Sequence, residues 1–485
     1  MNDRIALPAL LLAASLALAG CQSPGPAPAS EAPGARLESL AALSDTPLAR
    51  RPLQIQDWRT AEGARVLFVE ARELPMFDLR LTFAAGSSRD GDRPGLATLT
   101  NAMLNEGVPG QDVTAIAQGF EGLGAQFGNG AYRDMATVSL RSLSDPTKRE
   151  PALALFARVL GQPTFPEDSL ARIKNQLMAG FEQQKQNPGK LASLALFRQL
   201  YGAHPYGTPS EGTAQSVPAI DRAALAAFHA RAYTPANLVI ALVGDLDRAE
   251  AEAIAARVSA ALPKGPALGP LPTPAQPAGT REHIEFPSQQ MHLMLAQLGV
   301  RRGNPDFPAL YVGNQILGGG GFGTRLMEEV REKRGLTYGI YSGFSPMRVE
   351  GPFMISVQTR AEAAEGTLEL VRQLVRDYLA EGPSDAELAR AKREIAGSFP
   401  LTTASNADIA GQLGSIGFYD LPLSYLDDFM RDVQAVSADQ VRDALRRHLS
   451  ADDFVVVSAG PRVPQKPLPP PTDRPAPPPA GVPEH

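Results

Sequence analysis

One cysteine, Cys21, stands in 485 residues. No internal disulfide can form, and no Cys-x-x-Cys pair is available for a metal or a redox centre. The six histidines are His204, His229, His283, His292, His448 and His485, and no two lie three or four residues apart. Two imidazoles on one helical turn, a common start to a zinc site, are therefore missing. Excess positive charge is missing too. Lys and Arg number 46 against 52 Asp and Glu, a net charge of −6, so nothing in the balance favours nucleic acid. There is no Gly-x-Ser-x-Gly elbow for a serine nucleophile and no Walker loop for a nucleotide phosphate.

What is present begins with an address. Arg4 precedes an apolar run over residues 5–19, broken by Pro8 and Ser15 and too short to span a bilayer comfortably. Leu18-Ala19-Gly20-Cys21 ends it in the manner of a bacterial lipobox. Residues 1–21 are thus expected to be a lipoprotein signal peptide, with Cys21 lipid-modified as the mature N-terminus. Gln22 rather than Asp after the cysteine resembles the sorting pattern for the outer membrane. The expected location is the periplasmic face of that membrane. Residues 22–50 read as a disordered tether, opened by the Pro/Ala/Ser/Gly-rich QSPGPAPASEAPGA. Residues 462–485 read as a disordered Pro-rich tail.

The body is a duplication at an offset of about 215 residues. Strand-like residues 78–84 and 292–296 each lead through a polar turn to an apolar-periodic helix, 96–105 in one half and 309–317 in the other. Pro94 and Pro308 stand just ahead of these helices. Residues 135–140 correspond to 353–358, and 237–244 to 453–460. Strands in hairpin-like order with helices grouped between them indicate an α+β fold. Two homologous domains, each a mostly antiparallel sheet with helices packed on it, are expected to form a clamshell. Their boundaries are 51–262 and 283–461. The Pro/Gly-rich linker 263–282 is expected to be a semi-rigid hinge that holds the halves apart, with a ligand cleft between them.

Residues 317–342, LGGGGFGTRLMEEVREKRGLTYGIYS, organise the second half. Gly318, Gly319, Gly320 and Gly321 allow close approach of a bound peptide backbone. Residues 324–333 read as a helix and 336–342 as a strand. Arg331 in the last helical turn and Tyr338 beyond the turn are both hydrogen-bond donors and can point at one spot. Such a pair suits a carbonyl or an oxyanion.

In both halves the sequence over about residues 50–461 resembles the insulinase/pitrilysin (inverzincin) family of zinc peptidases, in its bacterial branch similar to mitochondrial processing peptidase. The resemblance implies a first-domain helix carrying His-x-x-Glu-His, with a distant Glu completing the zinc site. RPGLATLTNAMLNEG occupies that helix here, but the motif positions hold Thr98, Asn101 and Ala102. Where the third ligand is expected, about residues 178–182, Glu182 is the only acid. His204 in YGAHPYGTPSEG resembles the family's His-Pro-Tyr-Gly segment, which serves structure or substrate lining. No metal is expected in this chain. The resemblance also implies an Arg and a Tyr seven residues apart that bind substrate and stabilise the tetrahedral intermediate. Arg331 and Tyr338 in REKRGLTY have that spacing, and Arg334 takes a lesser role.

A first half without its zinc ligands beside a second half with its Arg/Tyr pair resembles one chain of a split enzyme. The expected function is the non-zinc subunit of an exported, membrane-anchored metalloendopeptidase. It would be inactive alone and would supply Arg331 and Tyr338 in trans to a homologous zinc-bearing subunit, acting on peptide. The alternative is a catalytically inactive scaffold or peptide-binding lipoprotein of the same fold.

Overall fold

The computed structural model describes residues 52–472. The expected signal peptide with Cys21, the whole of the expected tether and the tail from residue 473 lie outside the described residues.

The first half is built on six strands: β1 (Gln56–Arg59), β2 (Arg65–Glu70), β3 (Met76–Phe83), β6 (Gln126–Ala131), β7 (Ala136–Leu143) and β8 (Leu238–Gly244). A two-residue ribbon, β4 (Gly107–Val108) with β5 (Gln111–Asp112), stands apart. The second half has β9 (Arg281–Glu285), β10 (Gln290–Leu298), β11 (Ile340–Phe344), β12 (Pro352–Arg360) and β13 (Val455–Gly460). The strand orders are β1-β2-β8-β3-β7-β6 and β11-β12-β10-β13-β9. Read from opposite ends, β2-β8-β3-β7-β6 matches β9-β13-β10-β12-β11 strand for strand. Each sheet is antiparallel except for one parallel pair, β2 with β8 and β13 with β9. The duplication read from sequence is therefore a duplication of topology.

The alternation in β3 explains its placement. Phe77, Leu79, Leu81 and Phe83 are fully or almost fully buried on one face, where the helices of the first half form the main core. On the other face Thr82 is also completely buried. β8 (LVIALVG) is buried along its whole length, as is β13 (VVVSAG). Continuous apolar runs of this kind indicate sheets covered on both faces.

The second cover comes from the opposite half. The Asn406–Phe418 helix, which belongs to the second half by sequence, lies on the first sheet. Its Ala410, Leu413 and Ile416 pack with Leu67, Val69, Ala241 and Val243. Reciprocally, the Pro188–Tyr201 helix of the first half lies on the second sheet. Its Ala192, Ala195 and Leu196 pack with Ala296, Leu298, Val455 and Val457. Gly417 is needed for this fit, because a Cβ there would stand 2.4 Å from Cγ1 of Val239.

The linker therefore does not hold the halves apart, contrary to the reading of its proline content. Asn237 accepts from the backbone N–H of Leu268 at 2.7 Å and donates to the Pro266 carbonyl at 3.3 Å. A stiff extended segment is as well suited to lying along a surface as to spanning a gap. The Pro-rich segment after β13 is likewise docked as far as residue 472. Gln465 accepts from the Glu365 backbone N–H at 3.0 Å, and Thr472 donates to the Lys333 carbonyl through its N–H at 2.9 Å and its hydroxyl at 3.0 Å.

Candidate functional site

In the first half, the Leu96–Ala102 helix carries the three degenerate motif positions. Asp90 sets its start by accepting the backbone N–H groups of Gly95 at 2.7 Å and Ala97 at 2.8 Å. Burial nonetheless pushes the Asp90 carboxyl up to about 7. The Thr98 hydroxyl donates to the Ser210 carbonyl at 2.6 Å. Asn101, 2% exposed, donates from Nδ2 to the Thr137 carbonyl at 3.3 Å and to the Tyr233 hydroxyl at 3.1 Å. Ala102 offers only a methyl group. The amide and the hydroxyl are committed to structural hydrogen bonds, and neither is a zinc donor.

Nor does the neighbouring helix supply one. On the Glu167–Gln184 helix, Met178 packs against the first-half core, and Glu182 is exposed and paired with Lys185 at 2.7 Å. Among the described residues, no group of three or more His, Cys, Asp or Glu side chains could hold a metal ion. The side chains at the family's zinc positions do not fit that metal. His204 has a structural role. Its Nδ1 accepts from the Tyr206 backbone N–H at 3.1 Å, so its Nε2 donates to the Pro272 carbonyl at 2.9 Å and pins the linker.

In the second half, the Phe307–Asn314 helix widens into a π-helical turn at Gln315–Gly319, and the glycine run follows from that geometry. A Cβ at Gly318 would stand 2.6 Å from Oγ of Ser342 on β11, one at Gly319 2.4 Å from Nδ2 of Asn314, and one at Gly320 2.7 Å from the Gln315 carbonyl. Asn314 and Ser342 lock the same corner. The Ser342 hydroxyl donates to Oδ1 of Asn314 at 2.7 Å, and Nδ2 of Asn314 donates back to the Ser342 carbonyl at 3.1 Å. Three of the four glycines thus serve close internal packing. Gly321, at φ +74°, faces open space.

The next helix turns π-helical over Met327–Glu332, with Arg331 in its last turn. Strand β11 begins at Ile340 rather than at 336, so Tyr338 sits on the connecting loop. The Arg331 guanidinium carbon lies 4.9 Å from the centre of the Tyr338 ring and 4.6 Å from that of Phe322. Tyr338 is 87% exposed and Phe322 70%. Among the described residues, neither the Arg331 guanidinium nor the Tyr338 hydroxyl has a hydrogen-bond partner, so all of their donors are available. Arg334 is different. It is held inward by the carbonyl of Glu329 at 3.0 Å and its carboxylate at 2.5 Å. The carboxylate is kept below its ordinary range by hydrogen bonds from Lys333 and Arg334, which outweigh its desolvation.

Arg331 and Tyr338 are therefore brought together. Thr98, Asn101 and Ala102 belong to the other half and share no hydrogen bond or ring contact with them. Phe322 escaped the sequence reading. Its only signal was a large apolar side chain in an otherwise glycine-rich turn.

Comparison with known proteins agrees with this architecture. Residues 65–214 match the family described as Insulinase (Peptidase family M16), and residues 219–395 match the Peptidase M16 inactive domain. A crystal structure of a peptidase M16 inactive domain from Pseudomonas fluorescens is 68% identical with a TM-score of 0.84, covering 86% of this chain and all of that one. A relative named non-peptidase homolog YmxG, from Helicobacter pylori, is 25% identical over 81% of this chain and 91% of its own length. A Bacillus subtilis relative, named uncharacterized zinc protease YmxG, is 24% identical over 76% of this chain and 88% of its own. With both sheets, both family matches and a near relative of known structure in agreement, the chain is a member of the M16 (insulinase) peptidase family.

Proposed function

We propose that the protein is the non-zinc subunit of an exported M16 metalloendopeptidase, anchored to the membrane through Cys21. It supplies Arg331 and Tyr338 to a homologous partner that carries the zinc. The observation that carries this reading is the contrast between the two halves. At the motif helix, every polar side chain is spent on internal hydrogen bonds. At the second site, a half-buried guanidinium and an exposed phenol stand together with their donors unspent. A scaffold would have no need to keep two donors in that state. In the assembled enzyme, Arg331 would hold a peptide carbonyl through its planar fork, and the Tyr338 hydroxyl would donate to the developing oxyanion.

Purification of the full chain from its native membrane, followed by identification of what it retains, tests this. The expected companion is a chain with an intact His-x-x-Glu-His helix, and cleavage of an unfolded peptide should need both chains and be blocked by a chelator. Chelator-sensitive cleavage by this chain alone would overturn the reading. A stable complex without a zinc-bearing member would replace it with the scaffold or peptide-binding role.

A further inference from the structure

A cavity of about 470 Å³ lies where the first half, the linker and the second half meet, and its wall is rich in arginine. Arg89 comes from the first half, Arg301 and Arg348 from the second, and residues 267–271 of the linker complete the lining. In a chain of net charge −6 this local excess of positive charge calls for an explanation.

Only part of that charge is answered within the protein. Arg348 donates to Oδ2 of Asp420 at 2.9 Å and to the Phe418 carbonyl. Arg65, also on the wall, has Asp57 at 2.9 Å. The buried Asp134 carboxylate is occupied as well: Oδ2 accepts the Arg348 backbone N–H at 2.7 Å and the Tyr419 hydroxyl at 3.0 Å, and Oδ1 accepts the Tyr206 hydroxyl. Among the described residues, the guanidiniums of Arg89 and Arg301 make no hydrogen bond, ion pair or ring contact, although the Asp134 carboxylate attracts Arg89 from a distance. Arg89 is half-buried, and its backbone is fixed by a tight turn, with its N–H on the Gly86 carbonyl at 3.0 Å. Burial lowers its affinity for the proton, Arg348 and Arg231 add to that, and Tyr206 and Asp134 only partly oppose it, the mark of a cation held where charge is costly.

We propose that this cavity is a binding site for a small phosphate-type oxyanion, gripped by Arg89 from one half and Arg301 from the other. A guanidinium presents paired N–H donors that match a phosphate edge, and two of them lining one cavity can fix such a group without base or sugar contacts. The anion would relieve the repulsion among the arginines. Because its two holders belong to different halves, it would also tie the halves together. The site is separate from Arg331 and Tyr338 and does not depend on their role.

Calorimetric titration of the full chain with sodium pyrophosphate, against sodium chloride at equal ionic strength, tests this. Saturable binding of one anion per chain and a rise in melting temperature are expected. Arg89→Gln and Arg301→Gln should each weaken binding by about tenfold or more. Arg222→Gln, an exposed position away from the cavity, should bind as the parent does. Arg301 is exposed, so its variant remains informative if Arg89→Gln lowers the yield of folded protein. A parallel arm uses phosphatidylglycerol vesicles. Pyrophosphate displacing the chain from vesicles would identify a lipid headgroup as a source of the same chemistry. Binding to vesicles with no response to free pyrophosphate, or unchanged pyrophosphate affinity in both Gln variants, would overturn the proposal.

Discussion

Arg331 holds its guanidinium 4.9 Å from the centre of the Tyr338 ring, on a surface where Tyr338 is 87% exposed. An exposed cation–π contact is worth about 0.5–1 kcal/mol. That is enough to bias the orientation of both side chains but too little to explain why the hydroxyl is present, since a phenylalanine would stack as well.

Tyr338→Phe therefore separates the two roles. The stack and the melting temperature should be preserved, because the lost hydroxyl has no protein partner. In the reconstituted two-chain enzyme, kcat should fall by about 10²–10³ with little change in KM, the usual cost of removing one donor from an oxyanion. Steady-state kinetics on samples with measured complex content checks this. Normal turnover by fully assembled Tyr338→Phe complex would remove the hydroxyl from the mechanism.

Much of this fold could be read in the sequence because it repeats. The matched strands, the prolines ahead of the helices and the strand-end glycines, Gly244 and Gly460, all recur in order. Both glycines sit at positive φ, +146° and +158°, with the start of β3 too near Gly244, and the start of β10 too near Gly460, for a Cβ. The exchange of helices between halves could not be read, because an apolar helical stripe does not say which sheet it covers. Leu413 and Leu196 look alike in sequence, and only the tertiary fold places each on the opposite half. The arginine pair was open to the reverse problem. Arg331 and Arg334 are equivalent by composition and are told apart in sequence only by the spacing to Tyr338 that the family resemblance implies; the physical difference is that Glu329 captures Arg334.

The exchanged helices make the two halves one cooperative unit. Leu413 is completely buried in a core made by both halves, and Leu196 is 1% exposed in the reciprocal one. Leu413→Ala and Leu196→Ala should each cost about 2–5 kcal/mol. Denaturant unfolding followed by two probes, one in each half, should show a single coincident transition in both variants. Two resolved transitions would mean that the halves fold independently despite the exchange.

The helix bearing Arg331 is tied down by Arg325, which forms a two-pronged pair with Glu387 at 2.7 and 2.9 Å. That hydrogen bond, more than the opposing cost of burial, pulls the Glu387 carboxyl from its ordinary 4.5 down to about 2. The folded-state value lies below the unfolded one. The stability from this pair is thus complete above about pH 4.5 and is lost as the pH falls towards 2. Glu387→Gln should flatten that part of the stability profile without altering it near neutrality in shape. Thermal melts from pH 2 to 7 would check this, and an unchanged acid limb in the variant would assign it to other carboxylates.

Restoring the zinc motif should fail, and the structure says where. Thr98→His, Asn101→Glu and Ala102→His would recreate the motif on the right helix. Yet Asn101 now donates Nδ2 to the Thr137 carbonyl at 3.3 Å and to the Tyr233 hydroxyl at 3.1 Å. A carboxylate can accept from the phenol but has nothing to donate, so it would confront the carbonyl with a second acceptor in a site 2% exposed. An unmatched buried polar group costs about 1–3 kcal/mol. The third ligand would also be missing, since Met178 packs against the core and Glu182 points to solvent beside Lys185. The triple variant should melt earlier than the parent and carry substoichiometric zinc by elemental analysis. Adding Met178→Glu should raise zinc content further than adding a carboxylate at any exposed position of the same helix. One tightly held zinc per chain in the triple variant alone would show that a donor near Glu182 can swing inward, and that this helix is less fixed than its packing implies.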